Sequence, residues 1–278
     1  MCVKYIRVKT IRKFRAKYRY SMILLRQLVV TDFKLRYQGS VLGYAWSLLR
    51  PILLFLILYV VFVKGLKVGG AIPHFPVYLL LGIVLWSFFG EMTSQSLSSI
   101  VSRGDLIRKI RIPRWIIVLS SSISALINLG LNLMVVGVFM IIGGVDISRS
   151  VLWLPIILIE IYILSLGVSL FLAASFVKYR DVSYIWEVVL QAGFYATPII
   201  YPIAVISSVT FQKLLMLNPM AQAIQDARYL LVTKQTVTIA QVYGTSGARL
   251  ISFVIVVVVF ITGLLYFKRE AAQFAENL

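Results

Sequence analysis

Long hydrophobic runs, separated by short polar and basic segments, make up most of this chain. A helix of about 20 apolar residues can cross the roughly 30 Å hydrocarbon core of a bilayer, because each residue adds about 1.5 Å. Six runs are long enough, and they predict an all-α integral membrane protein with six transmembrane helices. The six runs are Tyr44–Val63, Phe75–Ser94, Trp115–Ile142, Leu152–Val177, Val182–Tyr201 and Leu250–Phe267.

The fifth run differs from the others because it ends in prolines. Pro198 and Pro202 belong to the sequence TPIIYP, and proline lacks the N–H that a helix interior needs. Irregular backbone at membrane depth is tolerated only where its polar groups face protein or a water-filled cavity. We therefore expect a re-entrant outer segment between the fifth and sixth helices, with a cavity or pathway beside it.

Two segments outside the runs are predicted to be helices on the cytoplasmic face. The arm before the first run mixes apolar residues such as Leu25 and Leu28 with basic residues such as Arg26, which predicts an amphipathic interface helix. The loop at about 102–112 also mixes apolar and basic residues, and Pro113 ends it. The resulting divisions are a basic arm with the interface helix at 1–43, a six-span domain at 44–267 that includes an outer segment at about 198–249, and a tail at 268–278.

Composition and charge agree with this topology. Hydrophobic residues make up 60% of the chain and charged residues only 14%, whereas soluble domains are about 25% charged. The formal charge is +18, and most Lys and Arg fall in the arm, in the loops after the second and fourth runs, and in the tail. Cytoplasmic loops carry excess Lys and Arg. We therefore predict a multi-pass membrane protein with both termini cytoplasmic and no nucleic-acid partner.

The residue inventory argues against an enzyme. Cys2 is the one cysteine and His74 the one histidine, so neither a disulfide framework nor a Cys- or His-based metal site is expected. No loop of the form GxxxxGKS or GxxxxGKT occurs, so the chain is not expected to hydrolyse ATP by that route. Ion-coupled transporters often have two repeated halves, and no internal repeat is visible. Energy for transport would come from a partner or an ion gradient.

Four ionisable residues fall within the predicted spans, where each costs about 2.5–3.5 kcal/mol at mid-membrane and therefore suggests a function. Arg50, Glu91 and Glu187 are all expected near the cytoplasmic ends of their helices. We hypothesise that Arg50 pairs with Glu91 or Glu187 in a polar cluster; the alternative is that Arg50 extends to the interface by itself. Glu160, in the outer half of its helix, has no obvious partner in the sequence.

Aromatic residues are frequent in and beside the predicted spans. They fit either interfacial belts and helix packing or the lining of a transport pathway, because an aromatic face stacks on the C–H face of a sugar without fixing its register. The pathway candidates are Tyr59, Phe62, Trp86, Phe194, Tyr195 and Tyr201.

Five segments, in order along residues 20 to 270, resemble permease subunits of type-2 ABC exporters for polysaccharides. Exporters of this kind move O-antigen, teichoic acid or related lipid-linked glycans, so the resemblance implies the cytoplasmic (inner) membrane of a bacterium or archaeon. The matching segments are RYQGSVLGYAWSLLRPI (Arg36–Ile52), LIRKIRIPRWIIVLSSSISALINL (Leu106–Leu129), KYRDV (Lys178–Val182), TPIIYP (Thr197–Pro202) and LNPM (Leu217–Met220).

The resemblance implies a homodimer with two separate ATP-binding cassette subunits, which would hold ATP and Mg. It also implies that the helix at about 102–112 couples to the ATPase and that segments after Pro202 and Pro219 form an outer gate. The basic residues of the coupling helix have a plainer interpretation as membrane-surface anchors. The coupling candidates are Arg103, Asp105, Leu106, Ile107, Arg108, Lys109 and Arg111.

A lipid-linked substrate would bring a pyrophosphate to the inner entrance. Arg26, Lys34, Arg36 and Arg50 are the candidates to receive it, because guanidinium and ammonium groups suit phosphate; the alternative is membrane anchoring. Related permeases often have Asn or Trp where this chain has Arg50. The other functions considered are export of a drug or small lipid, glycan processing by a membrane enzyme, and a membrane scaffold.

Overall fold

The computed structural model describes residues 20–32, 34, 43, 45–65, 72–109, 113–146 and 148–274. Every regular element in these ranges is a helix. The α-helices are α1 (20–32), α2 (Ala45–Leu58), α3 (Phe75–Ser99), α4 (Gly104–Lys109), α5 (Trp115–Ile142), α6 (Leu154–Lys178), α7 (Val182–Ala196), α8 (Val209–Met216), α9 (Pro219–Leu231), α10 (Ile239–Tyr243) and α11 (Arg249–Ala271).

Five helices in the described ranges are long and apolar enough to cross a membrane. They coincide with five of the six predicted runs, and α5 has the predicted bounds. The span that contains α2 continues through a π-helical segment to Gly65, and the span that contains α6 begins with a 3₁₀ turn at Arg149. The predicted all-α membrane fold is confirmed. The five spans are Ala45–Gly65, Phe75–Ser99, Trp115–Ile142, Arg149–Lys178 and Arg249–Ala271.

The fifth predicted run, Val182–Tyr201, is helical only as far as Ala196, and irregular backbone follows at the prolines, as the sequence TPIIYP led us to expect. Helix α7 has 15 residues, about 22 Å at 1.5 Å per residue. It ends because Thr197 precedes Pro198, which disfavours helical backbone in the residue before it, and Thr197 is extended (φ −90°, ψ 137°). We call the irregular segment Thr197–Pro202 the broken segment.

Helix α3 is the central element of the bundle. In its most apolar window 72% of the residues are buried, against 11% for the span that contains α2. It packs against α2, α5, α6, α7 and α9. By contrast, α7 has no buried residue and α2 buries only Pro51 and Phe55. The bundle therefore leaves largely apolar surfaces of α2 and α7 uncovered.

The two ends of α3 carry different structures. At its Phe75 end lie the broken segment and α9, whose residues Met220–Arg228 are all buried. At its Ser99 end, a 3₁₀ turn leads directly into α4. The short predicted helix at about 102–112 is found over Gly104–Lys109, and residues 110–112 lie outside the described ranges. We refer to these as the α9 end and the α4 end.

Helix α9 is fixed to the broken segment through its N-cap residue. The Asn218 side-chain oxygen accepts from the Met220 N–H (3.0 Å), and its amide donates to Thr197 Oγ1 (3.2 Å). We expect Asn218→Ala to cost about 1–2 kcal/mol, because both bonds are lost. The thermal unfolding midpoint of the purified chain in detergent measures this. The control is Ser208→Ala at the exposed N-cap of α8, where a loss as large as that of Asn218→Ala would contradict the assignment.

Candidate functional site

A cavity of about 970 Å³ lies between α2, α3, α5 and α7. Along α3 its lining runs from Val84 to Leu97, so it occupies the part of the bundle toward the α4 end. The lining combines apolar and aromatic residues with charged and amide side chains. The charged and amide residues are Arg50, Glu91, Gln95, Asn128, Asn132, Glu187 and Gln191.

One wall of the cavity is a hydrogen-bonded polar network. The Glu91 carboxylate accepts from Gln95 Nε2 (2.7 Å) and from the Asn128 side-chain amide. Asn132 donates to the Asn128 carbonyl (2.9 Å) and to the Ser47 carbonyl (3.3 Å), which joins α5 to α2. Sequence reasoning missed Asn128 and Asn132. Their spacing of four residues in an apolar run was the available signal, because it places both on one helix face.

The cavity brings together three of the four intramembrane charges. Arg50, Glu91 and Glu187 all line it, although they come from three different helices. Glu160 lies elsewhere, beside Asp226 and Arg249, whose carboxylate and guanidinium are 3.6 Å apart. The structure therefore gives Glu160 charged neighbours that the sequence did not indicate.

Aromatic side chains form much of the remaining lining. Of the six predicted pathway aromatics, Trp86, Phe194 and Tyr195 line the cavity, together with Trp46 and Trp186. The other three pack elsewhere: the rings of Tyr59 and Phe55 are 5.8 Å apart, Phe62 packs on the apolar core, and the Tyr201 hydroxyl donates to the Tyr195 carbonyl.

Two of the other predicted entrance residues, Arg26 and Lys34, lie on α1 or two residues beyond its end. The side chains of Arg26 and Lys34 are exposed. Arg36 lies outside the described residues. Of the three entrance cations that the structure describes, Arg50 is the one that lines the cavity.

Beyond the cavity, toward the α9 end, Arg228 holds the broken segment against α3. Its side chain is fully buried and donates to the carbonyls of Tyr78 (2.9 Å), Pro198 (2.7 Å) and Ile199 (2.6 Å). The guanidinium lies 3.6 Å from the centre of the Tyr78 ring, a cation–π contact. Two of these carbonyls belong to the backbone that leaves helical geometry at the prolines.

Gln225 and Gly82 complete this junction. The Tyr78 hydroxyl donates to Gln225 Oε1 (3.1 Å), and the Gln225 amide donates to the Pro198 carbonyl (3.4 Å). A Cβ on Gly82 would lie 2.3 Å from Arg228 Nη2, so this glycine makes room for the guanidinium. Arg228 falls within the predicted outer segment at about 198–249, and its burial could not be predicted because it depends on the tertiary packing of α9.

The predicted coupling residues divide into two groups. Asp105, Arg108 and Lys109 are exposed on α4, and Leu106 is partly buried there. Ile107 packs on an apolar cluster, and Arg103 turns toward Asp32 and Ser120 instead of outward. Arg111 lies outside the described residues. In the ranges that the structure covers, no group of three His, Cys, Asp or Glu residues could hold a metal ion.

Long apolar helices around a polar, aromatic-lined cavity are the architecture of an integral membrane protein. Residues 23–232 match the ABC-2 type transporter family, and this chain belongs to that family. The resemblance to type-2 ABC exporter permeases is thereby confirmed, and the chain is a transport subunit of the membrane.

Curated relatives agree with this assignment. The chain is 29% identical over 269 residues to the O-antigen export system permease protein RfbA of Klebsiella pneumoniae, covering 94% of this chain and 99% of that protein. It is 31% identical over 211 residues to the O-antigen export system permease protein RfbA of Myxococcus xanthus, covering 76% of this chain and 80% of that protein.

Proposed function

We propose that this chain is the transmembrane subunit of an ABC exporter that moves a lipid-linked polysaccharide of the O-antigen type across the cytoplasmic membrane. The relatives that it resembles over most of their length are O-antigen export permeases. The observation that carries the proposal is the cavity, which combines indole faces with carboxylate and amide groups. Sugars present C–H faces and hydroxyl groups, so both kinds of lining suit them.

The proposed topology has six crossings with both termini cytoplasmic. The five long helices supply five crossings, α7 supplies the sixth, and the broken segment that follows α7 is the re-entrant part on the outer side. The excess of Lys and Arg in the arm and in the loop that carries α4 supports a cytoplasmic α4 end. Helix α1 then lies at the cytoplasmic interface.

The proposed assembly is a homodimer with two ATPase subunits, which hold ATP and Mg. A second copy would cover the apolar faces of α2 and α7, the two helices that flank the cavity. Exposed residues on these faces include Leu56, Ile57, Ile185 and Val188. Helix α4, with Asp105, Arg108 and Lys109 exposed, would receive the ATPase.

In the proposed cycle, the glycan carrier enters the cavity from the inner leaflet. Arg50 on the cavity wall contacts the pyrophosphate, because a guanidinium can bind two phosphate oxygens at once. The broken segment and α9 close the outer side of the pathway. ATP binding in the partner moves α4. This movement also shifts α3 and α5, the helices that precede and follow α4 in the chain.

The first test is the ATP hydrolysis rate of the chain co-purified with its ATPase and placed in lipid bilayers. We expect added lipid-linked polysaccharide to stimulate hydrolysis. Stimulation by short-chain lipids or drugs, with none by the glycan, would favour the alternative of a drug or small-lipid exporter. Failure of the chain to associate with an ATPase would contradict both.

We expect Trp46→Ala to raise the glycan concentration needed for half-maximal stimulation. The lost stacking is about 1 kcal/mol or more, which corresponds to about fivefold or more. Trp153→Ala is the matched control, because Trp153 is also exposed but lies in the turn before α6. Equal responses of the two variants would contradict a glycan contact at Trp46.

A further inference from the structure

Three side chains join α1 to both sides of the loop that carries α4. Arg103 lies in the turn immediately before α4, and Ser120 lies on α5 after it. Arg103 Nη1 donates to Ser120 Oγ (3.0 Å), and Arg103 Nη2 forms an ion pair with the Asp32 carboxylate. The Ser120 hydroxyl is also 3.3 Å from Asp32 Oδ2. We call this set the Asp32 network.

The Asp32 network is shielded from water. The side chains of Arg103 and Asp32 are 17% and 20% exposed, and Ser120 is fully buried. Partial burial strengthens an ion pair, because fewer water molecules compete with it. Arg103 uses two nitrogens on two partners, which suits the planar fork of a guanidinium. The contact is therefore more specific than a surface ion pair.

An apolar cluster beside the network holds the same segments together. Ile100, Ile117, Phe267 and Phe274 are buried in it, and Leu28 of α1 and Ile107 of α4 pack against them. The cluster is non-directional and tolerates sliding, whereas the ion pair fixes the position of α1 relative to the turn before α4. Motion of α4 would consequently be passed on to α1.

Helix α1 is in turn close in sequence to the cavity. Twelve residues separate Asp32 from Ala45, where α2 begins, and Trp46 and Arg50 of α2 line the cavity. We infer that the Asp32–Arg103 ion pair links movement of α4 to α1 and, through Ser120, to α5, whose Asn128 and Asn132 line the cavity. This inference rests on the proposed function, because it takes α4 as the element on which the ATPase acts. Arg103 is then a positioning residue rather than a docking residue.

The test compares export with ATP hydrolysis in the complete complex, reconstituted in lipid vesicles. Asp32→Ala and Arg103→Ala are expected to co-purify with the ATPase as the native chain does. The amount of glycan that they export per ATP hydrolysed is expected to fall by about fivefold or more. The charge-exchanged variant D32R/R103D should recover part of this loss. The glycan exported per ATP by Arg103→Lys should fall between the values for the native chain and Arg103→Ala, because a single ammonium group replaces the planar guanidinium with its several donors.

Two comparisons make the outcome decisive. Arg269→Ala removes an exposed cation at the end of α11 and should export normally. Thermal unfolding of the chain without its ATPase is the second measurement. The stability losses caused by Asp32→Ala and Arg103→Ala should not add in the double variant, because each single substitution already breaks the same ion pair.

The inference would be overturned if the effects of Asp32→Ala and Arg103→Ala on thermal unfolding add and both variants export as much glycan per ATP as the native chain. Loss of ATPase association in Arg103→Ala but not in Asp32→Ala would also overturn it, because Arg103 would then dock directly. If the native chain itself shows no ATP-dependent export, the proposed function fails and the inference fails with it.

Discussion

Replacing Arg228 by methionine is expected to give a chain that unfolds at much lower temperature and does not export. The guanidinium satisfies three carbonyls, and those of Pro198 and Ile199 lie where the prolines have interrupted the helix. Each buried acceptor left without a donor costs about 1–3 kcal/mol. Removing a buried charge recovers part of this cost. We expect a net loss of about 3 kcal/mol or more, measured as the thermal unfolding midpoint in detergent.

Two variants isolate the cause. Arg228→Lys keeps the charge but cannot reach three carbonyls from one ammonium, so it should lose nearly as much stability as Arg228→Met. Tyr78→Phe keeps the ring beneath the guanidinium and removes only the hydroxyl bond to Gln225, so it should cost about 1 kcal/mol. A stable, exporting Arg228→Met variant would contradict the role assigned to this side chain.

Replacing Gly263 by alanine should separate α11 from α6. A Cβ at this position would lie 2.1 Å from the Gly167 carbonyl oxygen and 2.9 Å from its carbon, both of them backbone atoms. Rotation of a side chain cannot relieve this overlap, so the helices must move apart along their contact. We expect a loss of about 2 kcal/mol or more in the free energy of unfolding.

Gly130→Ala is the matched control for Gly263→Ala. It is the same substitution in another long apolar helix, and a Cβ at Gly130 meets no atom within 4 Å in the part of the chain that is described. Alanine has the higher helix propensity by about 1 kcal/mol, so Gly130→Ala should be neutral or stabilising. Similar unfolding midpoints for the two alanine variants would show that the α6–α11 contact is looser than the structure indicates.

The spans could be predicted from sequence because they depend on local composition. An apolar run of sufficient length must be helical in lipid, whichever neighbours it has, since its backbone groups have no other partners. Helix α5 accordingly has its predicted bounds, and the break after α7 falls at Thr197, where Pro198 required it.

The polar contacts could not be predicted in the same way, because each joins residues far apart in sequence. Arg228 in isolation has the pattern of an exposed outer cation, and only the approach of α9 to Tyr78 and Pro198 explains its burial. Asp32 belongs to an amphipathic helix whose polar face is ordinarily solvated. The grouping of Arg50, Glu91 and Glu187 was a hypothesis from their depth, and all three line the cavity; the pairing of Arg50 with either carboxylate stays a prediction.

The central claim, export of a lipid-linked polysaccharide by this chain and an ATPase partner, is tested most directly by transport into inverted vesicles. The vesicles would contain the complex and carry labelled lipid-linked glycan on their outer, cytoplasmic-side leaflet. We predict that ATP moves the glycan into the lumen, where an added glycosidase no longer reaches it, and that Trp46→Ala slows this movement more than Trp153→Ala does. Glycan that stays accessible to the glycosidase while the bound ATPase hydrolyses ATP would contradict the account.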